Sequence, residues 1–478
     1  MISIFFERKY FTEIFLGIYL WLGYWWKFSY LQFINVSEKI SLSSSEGFVP
    51  QFISKNILNE TFYSLIIVYI ALFLSFKIFK FFYNDYFNDI YDQENYFSNL
   101  YKKYKLLIIF SYLILVIFIS ISNIYFGIYQ KGLLISKEIN PYIINLYKWL
   151  ILFGLSFIGS IILFYETRIK SRNLIWTITL VLFENFLVAT SNLSRAMIVN
   201  SSSILLGTYK SINFLNTQKK NFLTIKFVII MIIFFVLSLL GSIELRKISF
   251  KINLEITEQK IITENKTVNL KTDKELVSNE ETKEKIDINE ENNFDINFQK
   301  YLGEFIYLIT KRWVGIESMI LVTQNKERDF NTFLDAFKDR FSKNTQPYYE
   351  RNFVIKNLEN NDSSNAIKNH NTYNDSGQYI YGVITPGFVS FFHYTNNIFF
   401  LFFSMFIIGI LFLYFEKFIS YMSGNNLILI SFLTHLSVYR LIHFGYLPHQ
   451  TYLLFGTIIL NLLFLYFVKK FYYKFKHK

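Results

Sequence analysis

The densest cluster of chemically capable residues in this chain is Thr310-Lys311-Arg312-Trp313-Val314-Gly315-Ile316-Glu317. On a regular helix Arg312 lies one turn from Ile309 and Ile316, at the rim of an apolar seam, and Glu317 is rotated well away from it. The two are therefore not a simple intrahelical pair. Arg312 has two readings, a solvated rim or headgroup charge and a ligand contact. A second cluster runs His435-Leu-Ser-Val-Tyr439-Arg440-Leu-Ile-His443-Phe-Gly445-Tyr446-Leu-Pro448-His449, in a chain with only six His. Arg440 and His443 share one helical face, and His435, Tyr439 and His443 form an i, i+4, i+8 stripe. Histidines at i and i+8 with no acidic neighbour make a poor zinc set, and interfacial anchoring explains them better. No metal and no cofactor is expected.

Glu184 and Asn185 sit inside an apolar run. An intramembrane carboxylate is costly and marks either a functional cavity or a buried hydrogen-bonded pair between helices. Both readings stand. Arg195, in Ser191-Asn-Leu-Ser-Arg195, is the only basic residue of its turn. By the topology argued below, Arg195, Arg246, Arg312 and Arg440 all fall near the outer membrane face although they come from different elements. Arginine there suits a planar or tetrahedral oxyanion, above all phosphate, through bidentate charge-assisted bonds. That face has no ATP, so its chemistry needs a pre-activated substrate. A lipid-pyrophosphate-linked sugar is one, and its departing pyrophosphate requires charge stabilisation of this kind.

The elements that must position these groups are apolar. The chain has 478 residues, 52% of them hydrophobic, and apolar runs of roughly 18 to 25 residues recur, the length that crosses a hydrocarbon core of about 30 Å. The spans are expected at 14–34, 61–79, 106–128, 145–165, 173–190, 196–209, 222–243, 395–415, 426–443 and 451–468. The sixth is short and polar through Asn200-Ser201-Ser202-Ser203. No cleavable signal peptide is expected; the run after Glu7-Arg8-Lys9 reads as the first membrane helix. The absence of Cys excludes disulfides, thiolate metal sites and cysteine nucleophiles.

The formal charge of +12 sits in clusters between apolar runs rather than on a soluble face, so no nucleic-acid partner is expected. With the N-terminus inside, Lys77, Lys80, Lys102, Lys103, Lys105, Arg168, Lys170, Arg172, Lys210, Lys219, Lys220, Lys417 and the basic C-terminus are cytoplasmic. The short outside loops hold only Lys27, Lys39, Lys55, Lys131, Lys137, Lys148 and Arg195. That asymmetry places both ends inside and a long polar excursion outside, and it requires the sixth span. The expected layout is membrane helices over 1–245, an extracytoplasmic loop over 246–380, and a re-entry segment with the last three helices over 381–478. Within the loop, the Lys/Glu/Asn/Thr mixture of 251–293 buries too little apolar surface to order. Two amphipathic helices are expected over 301–341, from Leu302, Phe305, Ile309, Trp313, Ile316 and Ile320 and then Phe330, Phe333, Phe337 and Phe341. The fold class is an all-α polytopic membrane protein with about ten transmembrane helices and one large loop before the last three.

Asn192-Leu-Ser-Arg195-Ala, Arg312-Trp-Val-Gly-Ile-Glu317, Thr385-Pro-Gly-Phe388 and Arg440-Leu-Ile-His-Phe-Gly-Tyr446, with a dominant loop before the last spans, resemble the Wzy-like O-antigen polymerases. The resemblance covers layout across nearly the whole chain, on short motifs. It implies a helical fold related to lipid-dependent membrane glycosyltransferases and O-antigen ligases, in the bacterial cytoplasmic membrane. It implies transfer of a glycan from one undecaprenyl pyrophosphate carrier to the repeat unit on another, with membrane lipids, a chain-length regulator and a flippase as partners. The family's essential arginines map to Arg195, Arg312 and Arg440, and its general base to His443 or Glu317. The long Lys/Glu segment departs from the usual loop.

A glycosyltransferase using a polyprenyl-monophosphate sugar is the closest rival. Such enzymes usually show an acidic pair in the first outside loop, where this chain has the separated Glu38 and Glu46. A lipid-linked glycan transporter is another, and it calls for inverted repeats and Gly/Pro-broken helices. Neither is visible in a chain with five Pro.

Overall fold

The structure is a computed structural model that describes residues 10–29, 55–83, 92–130, 139–169, 174–194, 197–214, 226–245, 315–339, 348–355, 386–443 and 448–476. The chain divides into two compact units, 1–239 with 314–478, and 240–313. Of the second, only the last turn of one helix is described. Among the described residues every regular element is helical.

Helices stand at each of the ten expected stretches. They are α1 (Phe11–Leu20, continued by a π-helical stretch Trp21–Trp26), α2 (Lys55–Phe82), α3 (Asp92–Phe126), α4 (Pro141–Arg168), α5 (Leu174–Ser191), α6 (Met197–Phe214) and α7 (Lys226–Leu245). Within the excursion come α8 (Ile316–Gln324) and α9 (Phe330–Lys338), and after it α10 (Phe388–Phe392), α11 (Ile398–Ser423), α12 (Leu427–His443) and α13 (Pro448–Lys476). Seven of them, α2, α3, α4, α5, α7, α11 and α13, are long and apolar enough to cross a membrane. The protein is a multi-pass α-helical membrane protein.

Burial orders the helices. Ile428, Leu429, Ile430, Phe432 and Leu433 of α12 are fully buried, so α12 is central and packs against α1, α4, α6 and α11. The apolar window of α13 is only 11% buried, which leaves its side chains to lipid. Small residues let the central helices approach closely: a Cβ at Gly409 of α11 would run into the Ser75 side chain of α2. The polar sixth stretch is stable for the same reason. Ser202 and Ser203 of α6 bond back to the carbonyls of Val199 (3.0 Å) and Asn200 (2.7 Å), and the Ser203 carbonyl accepts from Ser431 of α12 at 2.6 Å.

One end of the bundle holds both ends of the described chain. There Glu416 of α11 accepts from the backbone N–H groups of Phe11 and Thr12, both at 2.8 Å, and so caps α1. Lys80 pairs with Glu13 at 2.7 Å, and Lys469 of α13 donates to the Ser423 carbonyl at 3.1 Å. The opposite end, the excursion end, is covered by described residues of the later part of the excursion and those just after it. Leu321, Val322, Phe333, Ala336, Tyr349, Phe353, Phe391 and Tyr394 form a small apolar core there.

Two expectations for the loop change. The first helix does not run through Gly315: it starts at Ile316, with Gly315 extended at φ −175°, because the Gly315 backbone lies against the Gly23 carbonyl of α1. The part of the expected first helix before Gly315, Arg312 included, lies outside the described residues. Nor is α8 amphipathic, since Ile316 and the run Ser318–Thr323 are buried on all sides. The second helix is amphipathic, with Phe333 and Ala336 buried and Phe330 and Phe337 exposed, and Asp329 and Thr332 form its capping box. The expected disordered segment 251–293 lies outside the described residues.

Candidate functional site

The excursion end gathers functional side chains from elements far apart in sequence. The π-helical stretch Trp21-Leu-Gly-Tyr-Trp-Trp26 shifts the helical register just before Lys27, a local distortion that recurs at functional sites. Lys27 is buried, and its ammonium meets Glu317 Oε1 at 2.5 Å. Glu317 lies in the first turn of α8, where a carboxylate also favours the helix dipole. Its second oxygen, Oε2, is buried without a hydrogen-bond partner. The buried Tyr24 hydroxyl is within electrostatic reach of Glu317 and lies beside Ser390, and the buried Tyr69 hydroxyl stands near Tyr24. A carboxylate with one oxygen paired to a lysine and the other without a hydrogen-bond partner, near a phenol, has the chemistry to take a proton from a hydroxyl that reaches it.

The seat is close-packed by glycines. Gly315 lies on the Gly23 backbone, and a Cβ at Gly387 would stand 2.6 Å from the Tyr24 hydroxyl and 2.7 Å from the Ile442 carbonyl. Pro386-Gly387-Phe388 thus wedges between α1 and the end of α12. Ser318 donates to the Gly315 carbonyl at 2.7 Å and lies 2.8 Å from Ser390, joining α8 to α10.

A second polar cluster clasps this cap to α2. Arg328 is buried and pairs with Glu60, and its Nε donates to Asn396 at 3.1 Å. Arg328 Nη1 lies 2.8 Å from His393 Nε2, and Thr323 Oγ1 lies 3.2 Å from the same nitrogen. With Arg328 donating, Nε2 must accept, which assigns the imidazole proton to Nδ1. Burial first, and then the Arg328 guanidinium, push His393 down to about 3 from its ordinary 6.5. A neutral, doubly engaged histidine of this kind holds structure rather than carrying protons.

The residues singled out from sequence fall as follows. Glu317 is at the Lys27 seat. Arg440 is half-buried near the end of α12, and His443 is the last residue of that helix, its side chain outside the described set. Arg195 and Arg312 lie outside the described residues, as do Arg246 and Lys311. His435 is buried in mid-bundle against Phe15 and the Tyr19 hydroxyl, away from the excursion end. Glu184 accepts from Ser156 of α4 at 3.1 Å and from Asn185 at 3.0 Å, fully buried. That is the interhelical pair, the structural reading of the two.

Sequence reasoning did not single out Lys27, Tyr24, Tyr69, Arg328 or His393. A signal existed for Lys27, a lone cation directly after an aromatic run on the side where the charge pattern disfavours cations. The others have no local signature. Comparison with protein-family models, with curated proteins and with solved structures gives no match to this chain.

Proposed function

We propose that this chain is a membrane glycosyltransferase that polymerises polyprenyl-pyrophosphate-linked oligosaccharide repeat units into a surface polysaccharide of O-antigen or capsule type. In this reading ten helices cross the bacterial cytoplasmic membrane, both termini are cytoplasmic, and the excursion end faces outward. The observation that carries it is the Lys27–Glu317 seat. It sets a half-open carboxylate at the rim of the bundle, beside the end of the helix bearing Arg440 and His443.

The step is a glycosyl transfer. The acceptor hydroxyl oxygen bonds to the anomeric carbon of the donor, and the bond from that carbon to the pyrophosphate oxygen breaks, its electron pair leaving with the pyrophosphate. Glu317 takes the hydroxyl proton. Lys27 pairs with the carboxylate and orients it, as a positioning residue. Arg440, with Arg195 and Arg312, binds the pyrophosphate and stabilises the charge it gains. Glu317 is placed ahead of His443 as base because its open oxygen is defined.

Glu317→Gln keeps the shape and removes the base. In a strain lacking the native chain, it should insert normally and fail to restore polymer, whereas Glu317→Asp should restore part of it. Normal polymer from the Gln variant would exclude Glu317 as the base.

A further inference from the structure

Lys148 interrupts the apolar start of α4. Its side chain is exposed, and its ammonium stands over the Tyr129 ring at 5.9 Å. That ring is held in place. The fully buried Asn123 accepts from the Tyr129 N–H at 2.8 Å, and its amide donates to the carbonyls of Tyr129 (3.0 Å) and Ser191 (2.9 Å). The turn after α3 is thereby tied to the end of α5. Facing α4 across the same corner is α12, running antiparallel, with Phe153 against Phe432 at 6.2 Å between ring centroids. From that contact Lys148 lies five residues toward the excursion end and Arg440 eight. At about 1.5 Å per residue the rises are about 8 and about 12 Å, a difference that a lysine side chain spans. The Arg440 guanidinium is within electrostatic reach of both Lys148 and the Tyr129 hydroxyl.

Two cations of different helices brought to one rim repel each other, and an anion bound between them relieves that repulsion. Lys148 makes no ion pair among the described residues. A flexible ammonium, a planar guanidinium and a phenol together suit a phosphate oxyanion. Tyr142, Ile143 and Leu146 beside Lys148 are exposed and apolar, which gives a hydrocarbon chain a surface to lie on and offers nothing to a free ion. We propose that Lys148 and Arg440 form a binding site for the phosphate group of a lipid, at the corner between α3, α4, α5 and α12. Taking that lipid to be the polyprenyl pyrophosphate rests on the function proposed above; the site itself does not.

The test is calorimetric titration of the purified full-length protein in neutral detergent with farnesyl pyrophosphate, phosphatidylglycerol and inorganic pyrophosphate. Saturable farnesyl pyrophosphate binding is expected, weakened about tenfold by Lys148→Gln and by Arg440→Gln and largely retained by Lys148→Arg. Equal binding of phosphatidylglycerol with the same losses supports the site and detaches it from the polymerase reading. Inorganic pyrophosphate binding as tightly as the prenyl compound would overturn the lipid assignment. Unchanged affinity in Lys148→Gln at an unchanged melting temperature, or no binding of any of the three probes, would overturn the site.

Discussion

The two oxygens of Glu317 have different surroundings, and that difference gives the residue its role. Oε1 is held by Lys27, while Oε2 is buried with no hydrogen-bond partner. Lys27→Ala should therefore leave the carboxylate short of its counter-charge and lower turnover, and Lys27→Arg should keep most of it. Equal turnover in both variants and the wild type, measured as polymer formed per inserted protein, would remove Lys27 from the site. Arg440→Lys keeps charge but loses the bidentate fork, so it should impair turnover without affecting insertion. Arg440→Ala should cost more, about 2–4 kcal/mol of transition-state stabilisation, read from turnover rates. Glu317 was legible in the sequence as a member of the densest cluster of chemically capable residues, and Arg440 as sharing a helical face with His443. Lys27 was visible only as a loop charge, because its partner lies 290 residues away and no local pattern records such a pairing.

At the scale of elements, the seat depends on α8 lying flush against α1. A side chain at Gly315 would meet the Gly23 backbone, and backbone cannot swing aside as a side-chain tip can. Gly315→Ala should unseat α8 at about 1–3 kcal/mol, seen as faster hydrogen exchange in 316–324. The His393 clasp adds a pH dependence. Its imidazole is held down to about 3 against an ordinary 6.5, so its contribution is complete above about pH 6.5 and is lost as pH falls toward 3. The slope is about 1.4 kcal/mol per pH unit at most. Hydrogen exchange in α8 to α10 should rise as the pH drops through that window, and His393→Gln should flatten the rise; an equal rise in the variant would move the effect to another group. The helices of the bundle were legible as apolar runs, and the serine-rich α6 also stands where the sequence placed a helix. The full burial of α8 was not, since the loop sequence shows an apolar seam but not the helices that cover its other sides.

For the whole molecule, the packing puts both ends of the described chain at one end of the bundle and α8 to α10 at the other. The lopsided lysine and arginine distribution then proposes which end is cytoplasmic. Reporter fusions at Lys220 and Lys470 should report cytoplasm, and fusions at Asn279 and Asn361 the outside. A cytoplasmic signal at Asn279 would invert the molecule and contradict the outward-facing Glu317 seat of the proposed function. Deleting most of 251–293 should leave insertion and activity largely intact, since that composition buries little; loss of inserted protein would make the segment structural. The central claim is polymerisation, and the lipid-glycan profile of a strain lacking this chain tests it most directly. The account predicts single capped repeat units in place of a ladder, restored to a ladder by the wild-type chain. An unchanged ladder in that strain would contradict it.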